Sequence, residues 1–346
     1  MMSTAASERR RPSSQGFVRP VVLAVLAGLV LVGGRLVSDS LPSWLSVQTL
    51  LTLSMFIITI ALGQGLVMLI GGLDLSVPGV IAMSAAILAL WTSVRGGSVI
   101  VGILIALVMA VLVGVVNGFL VARFQIPAFI ITLAMNGILV GISIGITFGH
   151  KAPAAPEVVT TLFSGSGKWF GIGIPVFFFV LVALVGYVIQ AKSRFGRGAY
   201  LFGSSNTAAR IAGLPVERIQ IGIYALCALG SGIAGIMLLG LSGNAELQLG
   251  DEWAIPAISA VLVGGTVIGS GRGYWQSTVA ACLLLTSITV VIQATGFSQG
   301  WKSVLYGVVV LIALLFTRPD TRFSLRRKGS PALAEGESPT EMKGKV

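Results

Sequence analysis

The chain has 346 residues and a formal net charge of +11; 55% of its residues are hydrophobic and only 10% are charged. A soluble domain carries roughly 25% charged residues, so this composition excludes a water-soluble globular protein. Apolar runs of about 20 residues, each able to cross roughly 30 Å of hydrocarbon, recur along the chain without the alternating polarity of a membrane barrel. The sequence therefore predicts an all-α, polytopic membrane protein.

Ten candidate spans follow one another along the chain. The sequence predicts them at 20–38, 47–70, 76–94, 98–122, 127–149, 172–191, 219–241, 254–270, 274–294 and 302–317. The third and the eighth are short or interrupted. The first is expected to be a retained span, because no small-residue cleavage site of a secretory signal follows it. Three regions result: an N-terminal tail (1–19), a transmembrane domain (20–317) and a disordered tail (318–346).

The distribution of basic residues predicts the topology. With the N-terminus in the cytoplasm and ten alternating spans, the external segments contain five of the 23 basic residues, namely Arg35, Arg95, Lys151, Lys168 and Lys302, which leaves 18 inside. Cytoplasmic loops of membrane proteins carry such an excess of Lys and Arg. We therefore expect both termini to be cytoplasmic, and we read the net charge as a topology signal rather than as a nucleic-acid surface.

Residues 71–79, Gly-Gly-Leu-Asp-Leu-Ser-Val-Pro-Gly, interrupt a long apolar stretch and predict a broken helix near 71–78. One interpretation is local: Asp74 or Ser76 caps the next helix, and Pro78 lies in its first turn. The other is functional, because acidic residues at membrane depth usually face a cavity or a partner. The two are compatible, since irregular backbone is tolerated where it lines a cavity.

Amides and glycines recur within the spans. The amides are Gln64, Asn117, Asn136 and Gln293. Neutral hydrogen-bonding groups suit a path for a hydroxyl-rich solute, but they also hold helices together. Glycines lie four residues apart at Gly114 and Gly118, and at Gly137, Gly141 and Gly145. This spacing predicts closely packed helices.

A predicted cytoplasmic loop, 192–218, contains its own short helix. Ser204 or Ser205 can cap its start, and Gly213 followed by Pro215 ends it. A helix this short is marginal in water, so we expect it to dock against a cytoplasmic partner.

Nothing in the sequence predicts catalysis. The single histidine, His150, lies at an outer boundary, and Cys227 and Cys282 lie within apolar runs. There is no Walker loop, nucleophile elbow or metal-ligand spacing. The chain is therefore not expected to be an enzyme or to hydrolyse ATP itself.

Three motifs together resemble the permease subunit of ribose/xylose-type ATP-binding-cassette importers. They are Gly-Gly-Leu-Asp-Leu-Ser at 71–76, Asn117-Gly118 with Ile-Pro-Ala-Phe-Ile-Ile-Thr-Leu at 126–133, and Arg-Phe-Gly-Arg at 194–197 with Asn-Thr-Ala-Ala-Arg-Ile-Ala-Gly at 206–213. The resemblance covers residues 45–317. Pro78 departs from the family, where glycine is frequent.

The resemblance implies an importer subunit in the bacterial inner membrane that moves a small polar solute, usually a sugar, by alternating access. It implies three partners: a cytoplasmic ATPase that uses ATP and Mg, a periplasmic solute-binding protein, and a second permease subunit. Residues 204–213 would be the coupling helix, with Ser205, Asn206, Ala208, Ala209, Arg210 and Gly213 as coupling residues; Gln64, Asp74, Asn117 and Asn136 are candidates for the path or its gate. The alternative is an ATP-independent transporter or channel, which would need more intramembrane acids than Asp74.

Overall fold

Helices make up almost all of the regular structure in the computed structural model, which describes residues 15–148, 153–294, 300–301, 304, 307–308 and 311. The long helices are α1 (Gln15–Gly33), α2 (Trp44–Leu69), α3 (Val77–Ala89), α4 (Val99–Phe124), α5 (Ala128–Thr147), α7 (Ile174–Tyr187), α10 (Val216–Ser242), α11 (Asp251–Val263) and α12 (Trp275–Ala294). The short ones are α6 (Glu157–Phe163), α8 (Arg194–Ser204) and α9 (Asn206–Ile211), and a small antiparallel hairpin pairs β1 (Lys168–Trp169) with β2 (Ile172–Gly173).

Eight helices within the described residues are long and apolar enough to cross a membrane, which confirms the polytopic all-α prediction. The predicted span 254–270 is wrong as a single helix, because α11 has only 13 residues, or about 20 Å at 1.5 Å per residue. The predicted span 302–317 and both tails lie largely or wholly outside the described residues.

The core of the bundle is built around α2 and α10. Most of α2 is buried, and α10 packs against α2, α3 and α4. In contrast, α4 and α5 present most of their apolar side chains outward. Outward apolar faces are expected where the surroundings are lipid or another subunit.

Glycines let the central helices approach closely. A Cβ on Gly63 of α2 would overlap the backbone of Cys227 in α10, and a Cβ on Gly118 of α4 would lie 2.7 Å from the Cα of Ile221. Gly114 makes the same kind of contact, so the packing prediction for the first glycine pair is confirmed. For Gly137, Gly141 and Gly145 of α5 the described residues do not bear it out, because apart from the local helix backbone no described atom lies within 4 Å of a Cβ built there.

The two ends of the bundle differ. The hairpin end carries α6 and the β-hairpin, whereas the α9 end carries α8 and α9; α7 connects the two ends. The non-helical link 244–250 starts at the hairpin end, where Ala245 donates to the carbonyl of Pro153. At the other end of this link, Gly250 packs closely against the backbone of Pro78 at the start of α3. α11 continues to the α9 end, so the link and α11 together make one broken crossing.

Candidate functional site

The break after α2 is a buried, hydrogen-bonded turn. Asp74 is 1% exposed and Ser76 is fully buried. The Asp74 Oδ1 accepts hydrogen bonds from the backbone N–H of Ser76 at 2.9 Å and from its hydroxyl at 2.6 Å. This confirms a broken helix at 71–76, and α3 begins at Val77 with Pro78 in its first turn.

Side chains from α4 and α5 hold this turn in place. The Nδ2 of Asn117 donates to the Ser76 hydroxyl at 2.9 Å. The Thr132 hydroxyl accepts from the N–H of Leu75 at 2.9 Å, and Asn136 Oδ1 accepts from the N–H of Gly79 at 2.7 Å. Thr132 was not singled out in the sequence; its position within the 126–133 motif was the available signal.

The capping interpretation needs correction. Ser76 occupies the N-cap position of α3, but its side chain makes no capping bond to the helix. The Ser76 hydroxyl instead donates to Asp74 Oδ1 and accepts from Asn117 Nδ2. Asp74 therefore binds Ser76 and does not cap the helix. Four buried atoms around the turn have no hydrogen-bond partner among the described residues: Gln64 Nε2, Asp74 Oδ2, Asn117 Oδ1 and the Tyr224 hydroxyl.

We expect Asp74→Asn to leave folding and transport nearly unchanged, because an asparagine Oδ1 can accept both bonds from Ser76. Asp74→Ala leaves a buried N–H and a hydroxyl without this acceptor, at a cost of about 1–3 kcal/mol. Thermal unfolding and uptake of the two variants, side by side, measure the difference. A loss of uptake in Asp74→Asn with normal folded yield would instead place the negative charge in the gate.

A cavity of about 760 Å³ opens towards the hairpin end. It is bounded by α3, α5 and the link 244–250, and its lining includes Asn136, Thr147, Glu246, Gln248 and Asp251. Its volume lies within the usual range of small-molecule sites, roughly 300–1,000 Å³. Asn136 thus both lines this cavity and holds the start of α3. The last three residues follow a helix end in a stretch without a motif, and the sequence did not point to them.

The predicted cytoplasmic loop contains two helices rather than one. α8 begins after Ser193, whose hydroxyl accepts from the N–H of Gly196 at 2.9 Å. α9 begins after Ser205, which accepts from the N–H of Ala208 at 3.2 Å. It ends before Gly213, whose φ is 75°. The predicted cap at Ser205 and the stop at Gly213 are therefore confirmed, whereas α8 was missed.

The exposed face of α9 differs from the predicted one. Ala208 and Arg210 are exposed, and the Nε of Arg210 donates to Asn206 Oδ1 at 3.1 Å. Ala209, however, is fully buried against the rest of this chain, so it cannot face a partner in this conformation. Ile211 is 83% exposed and is the large apolar side chain that α9 offers outward.

α8 joins α9 to the break. Gly203 lies so close to the end of α2 that a Cβ would overlap the carbonyl of Leu69. The link 264–274 contacts the same end of α2, where the N–H of Gly269 donates to the carbonyl of Met68 at 3.0 Å. The Tyr200 hydroxyl donates to the carbonyl of Gly273 at 2.9 Å. Burial raises the pKa of Tyr200 to about 12, so it remains a neutral donor at physiological pH.

The remaining predicted residues lie apart from this arrangement or beside it. Gln64 Oε1, in α2, accepts a hydrogen bond from the Cys227 thiol of α10 at 3.6 Å. Gln293 is exposed near the end of α12. Both cysteines are buried and free, as expected, and His150 lies outside the described residues.

Comparison with known proteins identifies the family. Residues 46–314 match the family described as the permease component of the branched-chain amino acid transport system. The ribose import permease RbsC of Bacillus subtilis is 31% identical over 259 residues, which cover 75% of this chain and 80% of that protein. RbsC of Escherichia coli K12 is 31% identical over 257 residues, covering 74% and 80%. The fructose import permease FrcC of Rhizobium meliloti is 30% identical over 305 residues, covering 85% and 82%. The match spans nearly the whole helical bundle and includes the break and both α8 and α9, so this chain belongs to that permease family.

Proposed function

We propose that this chain is the membrane-spanning subunit of an ATP-driven importer that moves a small sugar from a periplasmic binding protein into the cytoplasm by alternating access. The observation that carries this proposal is the similarity to ribose and fructose import permeases over three quarters or more of the chain. The hairpin end would face outward and the α9 end would face the cytoplasm, which agrees with the distribution of basic residues.

The hairpin-end cavity suits a sugar. Carboxylate and amide groups from Glu246, Gln248, Asp251 and Asn136 contribute to its otherwise mostly apolar lining, and such groups pair with the hydroxyls of an uncharged solute. Among the residues that the structure describes, none that lines this cavity is basic. The proposed path therefore begins in this cavity and passes along α5 beside the break.

A second permease subunit would cover the open face of α5. Gly137, Gly141 and Gly145 leave space for a close helix–helix contact that no described residue of this chain makes. Asn136, Val140 and Ile144 of the same helix line the hairpin-end cavity, so a copy on this face would also enclose the solute. Small residues are typical of helix contacts inside membranes.

The ATPase subunit, which would use ATP and Mg, is proposed to receive α9. Lys192, Arg194, Arg197 and Arg218 are all exposed around it. In the part of the chain that the structure describes, the only ion pair joins Arg35 and Asp39, so these four cations are available to an acidic partner surface. α9 is too short to be stable alone, although Ser205 and Gly213 fix its two ends.

Reconstitution tests the function directly. The permease, its ATPase and the binding protein are placed in proteoliposomes, and uptake of labelled ribose, fructose, glucose and leucine is followed with and without ATP. The proposal expects ATP-dependent uptake of one of the sugars. Uptake that persists without the ATPase would identify an ATP-independent transporter instead, and ATP-dependent uptake of leucine alone would contradict the sugar assignment.

Cysteine labelling tests the proposed orientation. A thiol at Ser166 should react with a membrane-impermeant maleimide in intact cells, because Ser166 is exposed beside the hairpin. Thiols at Ala208 and at Ser338 should react only after the membrane is opened. The native cysteines are a built-in control, since both are buried. Labelling of Ala208→Cys in intact cells would reverse the orientation.

A further inference from the structure

We propose that a second cavity, at the α9 end, is a binding site for an uncharged polyhydroxylated compound of the sugar class, and that its occupation slows transport. This inference rests on the proposed function for its orientation and its ligand class. The cavity has a volume of about 380 Å³ and is separate from the hairpin-end cavity, with which it shares no lining residue.

The lining of this cavity is polar and uncharged. Amides come from Gln125, Asn206 and Gln220, and a hydroxyl comes from Ser205. None of the described residues that line it is acidic or basic. Amide and hydroxyl groups both donate and accept, as sugar hydroxyls do, whereas the absence of fixed charge from the lining disfavours ions and amino acids.

Several of these polar groups retain capacity for a ligand. The Nε2 of Gln125 donates to the carbonyl of Ala122, which leaves its Oε1 as an acceptor. Asn206 Oδ1 accepts a hydrogen bond from Arg210, which leaves the two N–H groups of Nδ2 as donors for a ligand. Gln220 is partly buried. At the inner wall, the buried Tyr224 hydroxyl has no partner among the described residues.

The position of the cavity links it to coupling. One wall is the α8–α9 junction (203–206), a second is the break at 70–72, and a third is the connection between α4 and α5 at 125–128. In the proposed function, the α8–α9 junction belongs to the segment that docks the ATPase. The other two segments belong to the wall of the translocation path. A ligand that touches all three would favour the conformer in which the cavity has this shape, because a ligand shifts a conformational equilibrium by its differential affinity for the two states. Sugar accumulating in the cytoplasm would then slow its own import.

Binding to the purified permease alone tests the site without requiring transport. Ribose and fructose are titrated in detergent, with glutamate as a charged comparison, and the melting temperature and calorimetric affinity are recorded. Gln220→Leu should weaken sugar binding by about tenfold or more, as expected for loss of a ligand hydrogen bond. Gln293→Leu, which changes an exposed amide that lines neither cavity, is the matched comparison and should leave this binding unchanged. Ala128→Phe, which fills the α9-end cavity, provides a second variant if Gln220→Leu folds poorly.

A transport measurement distinguishes this inference from the proposed function. Proteoliposomes loaded with the sugar at the α9 side should show a lower initial uptake rate than empty ones, and Gln220→Leu should remove most of that inhibition. Binding that is lost in Gln248→Leu, in the hairpin-end cavity, but retained in Gln220→Leu would overturn the inference, as would absence of sugar binding to a permease that transports normally. Failure of ATP-dependent uptake in empty vesicles would instead refute the proposed function, and the binding experiment would still decide whether the site exists.

Discussion

Replacing Ile211 by aspartate is expected to reduce ATP-driven uptake at least tenfold and to release the ATPase subunit during purification. Ile211 is 83% exposed at the end of α9, and a large apolar side chain in that position is the natural anchor for a partner groove. Truncating such an anchor typically costs more than 1 kcal/mol, and burying an unpaired carboxylate in its place costs more. A loss of about 1.4 kcal/mol corresponds to tenfold in affinity.

The folding of the permease should not change in this variant, because the Ile211 side chain is largely exposed. Ile211→Leu is the matched control and should retain both the ATPase and uptake. Ala209→Glu is not a clean test of docking, since Ala209 is fully buried within the subunit and a glutamate there would disturb the fold itself. Normal ATPase stoichiometry and normal uptake in Ile211→Asp would show that α9 is not the docking site.

Replacing Gly63 by alanine is expected to lower the yield of folded protein severely, although it adds only one carbon. That carbon would overlap the Cα of Cys227 and lie 2.9 Å from its Cβ. The obstruction includes backbone and not only the end of a flexible side chain, so α2 and α10 would have to separate. Overpacking of a well-packed core typically costs about 1–3 kcal/mol, sometimes more.

Gly28→Ala is the matched control for this steric effect. Gly28 lies in α1, and apart from the local helix backbone no described atom lies within 4 Å of a Cβ built on it. Alanine favours a helix interior over glycine by roughly 1 kcal/mol at either site, so the difference between the two variants isolates the clash. Fluorescence-detected size-exclusion chromatography after a series of heating steps measures both. Equal melting temperatures would mean that the two helices can move apart freely.

Much of the fold could be predicted from the local chemistry of the sequence. Hydropathy identified the long helices because the thickness of a bilayer sets their length. The breaks at Gly71–Ser76 and at Gly213 were predictable because glycine allows the positive φ angles that end a helix, whereas proline fixes φ and lacks an N–H. The cap at Ser205 was also predictable, since a capping hydroxyl bonds to an N–H two or three residues away.

Other features depended on which residues meet across the chain. The sequence indicated that Asp74 or Ser76 caps a helix, but the structure pairs the two with each other and Ser76 with Asn117, 41 residues away. The periodicity of a six-residue helix could not tell Ala209, which faces inward, from Ile211, which faces outward. The sequence indicated that the span 254–270 is short or interrupted, but it did not place the end of α11 at Val263.

The sequence by itself determined that this chain spans a membrane, where most of its long helices lie, and where the chain breaks after α2 and after α9. Each of these properties depends on residues close together in the chain and on their transfer from water to hydrocarbon. Tertiary structure alone decided that Thr132 and Asn136 hold the break, that one glycine set packs inside the bundle while the other stays open, and that two separate polar cavities lie at opposite ends. Those outcomes depend on the relative rotation and crossing of helices distant in sequence, and hydropathy carries no information about rotation when a helix is apolar on every side.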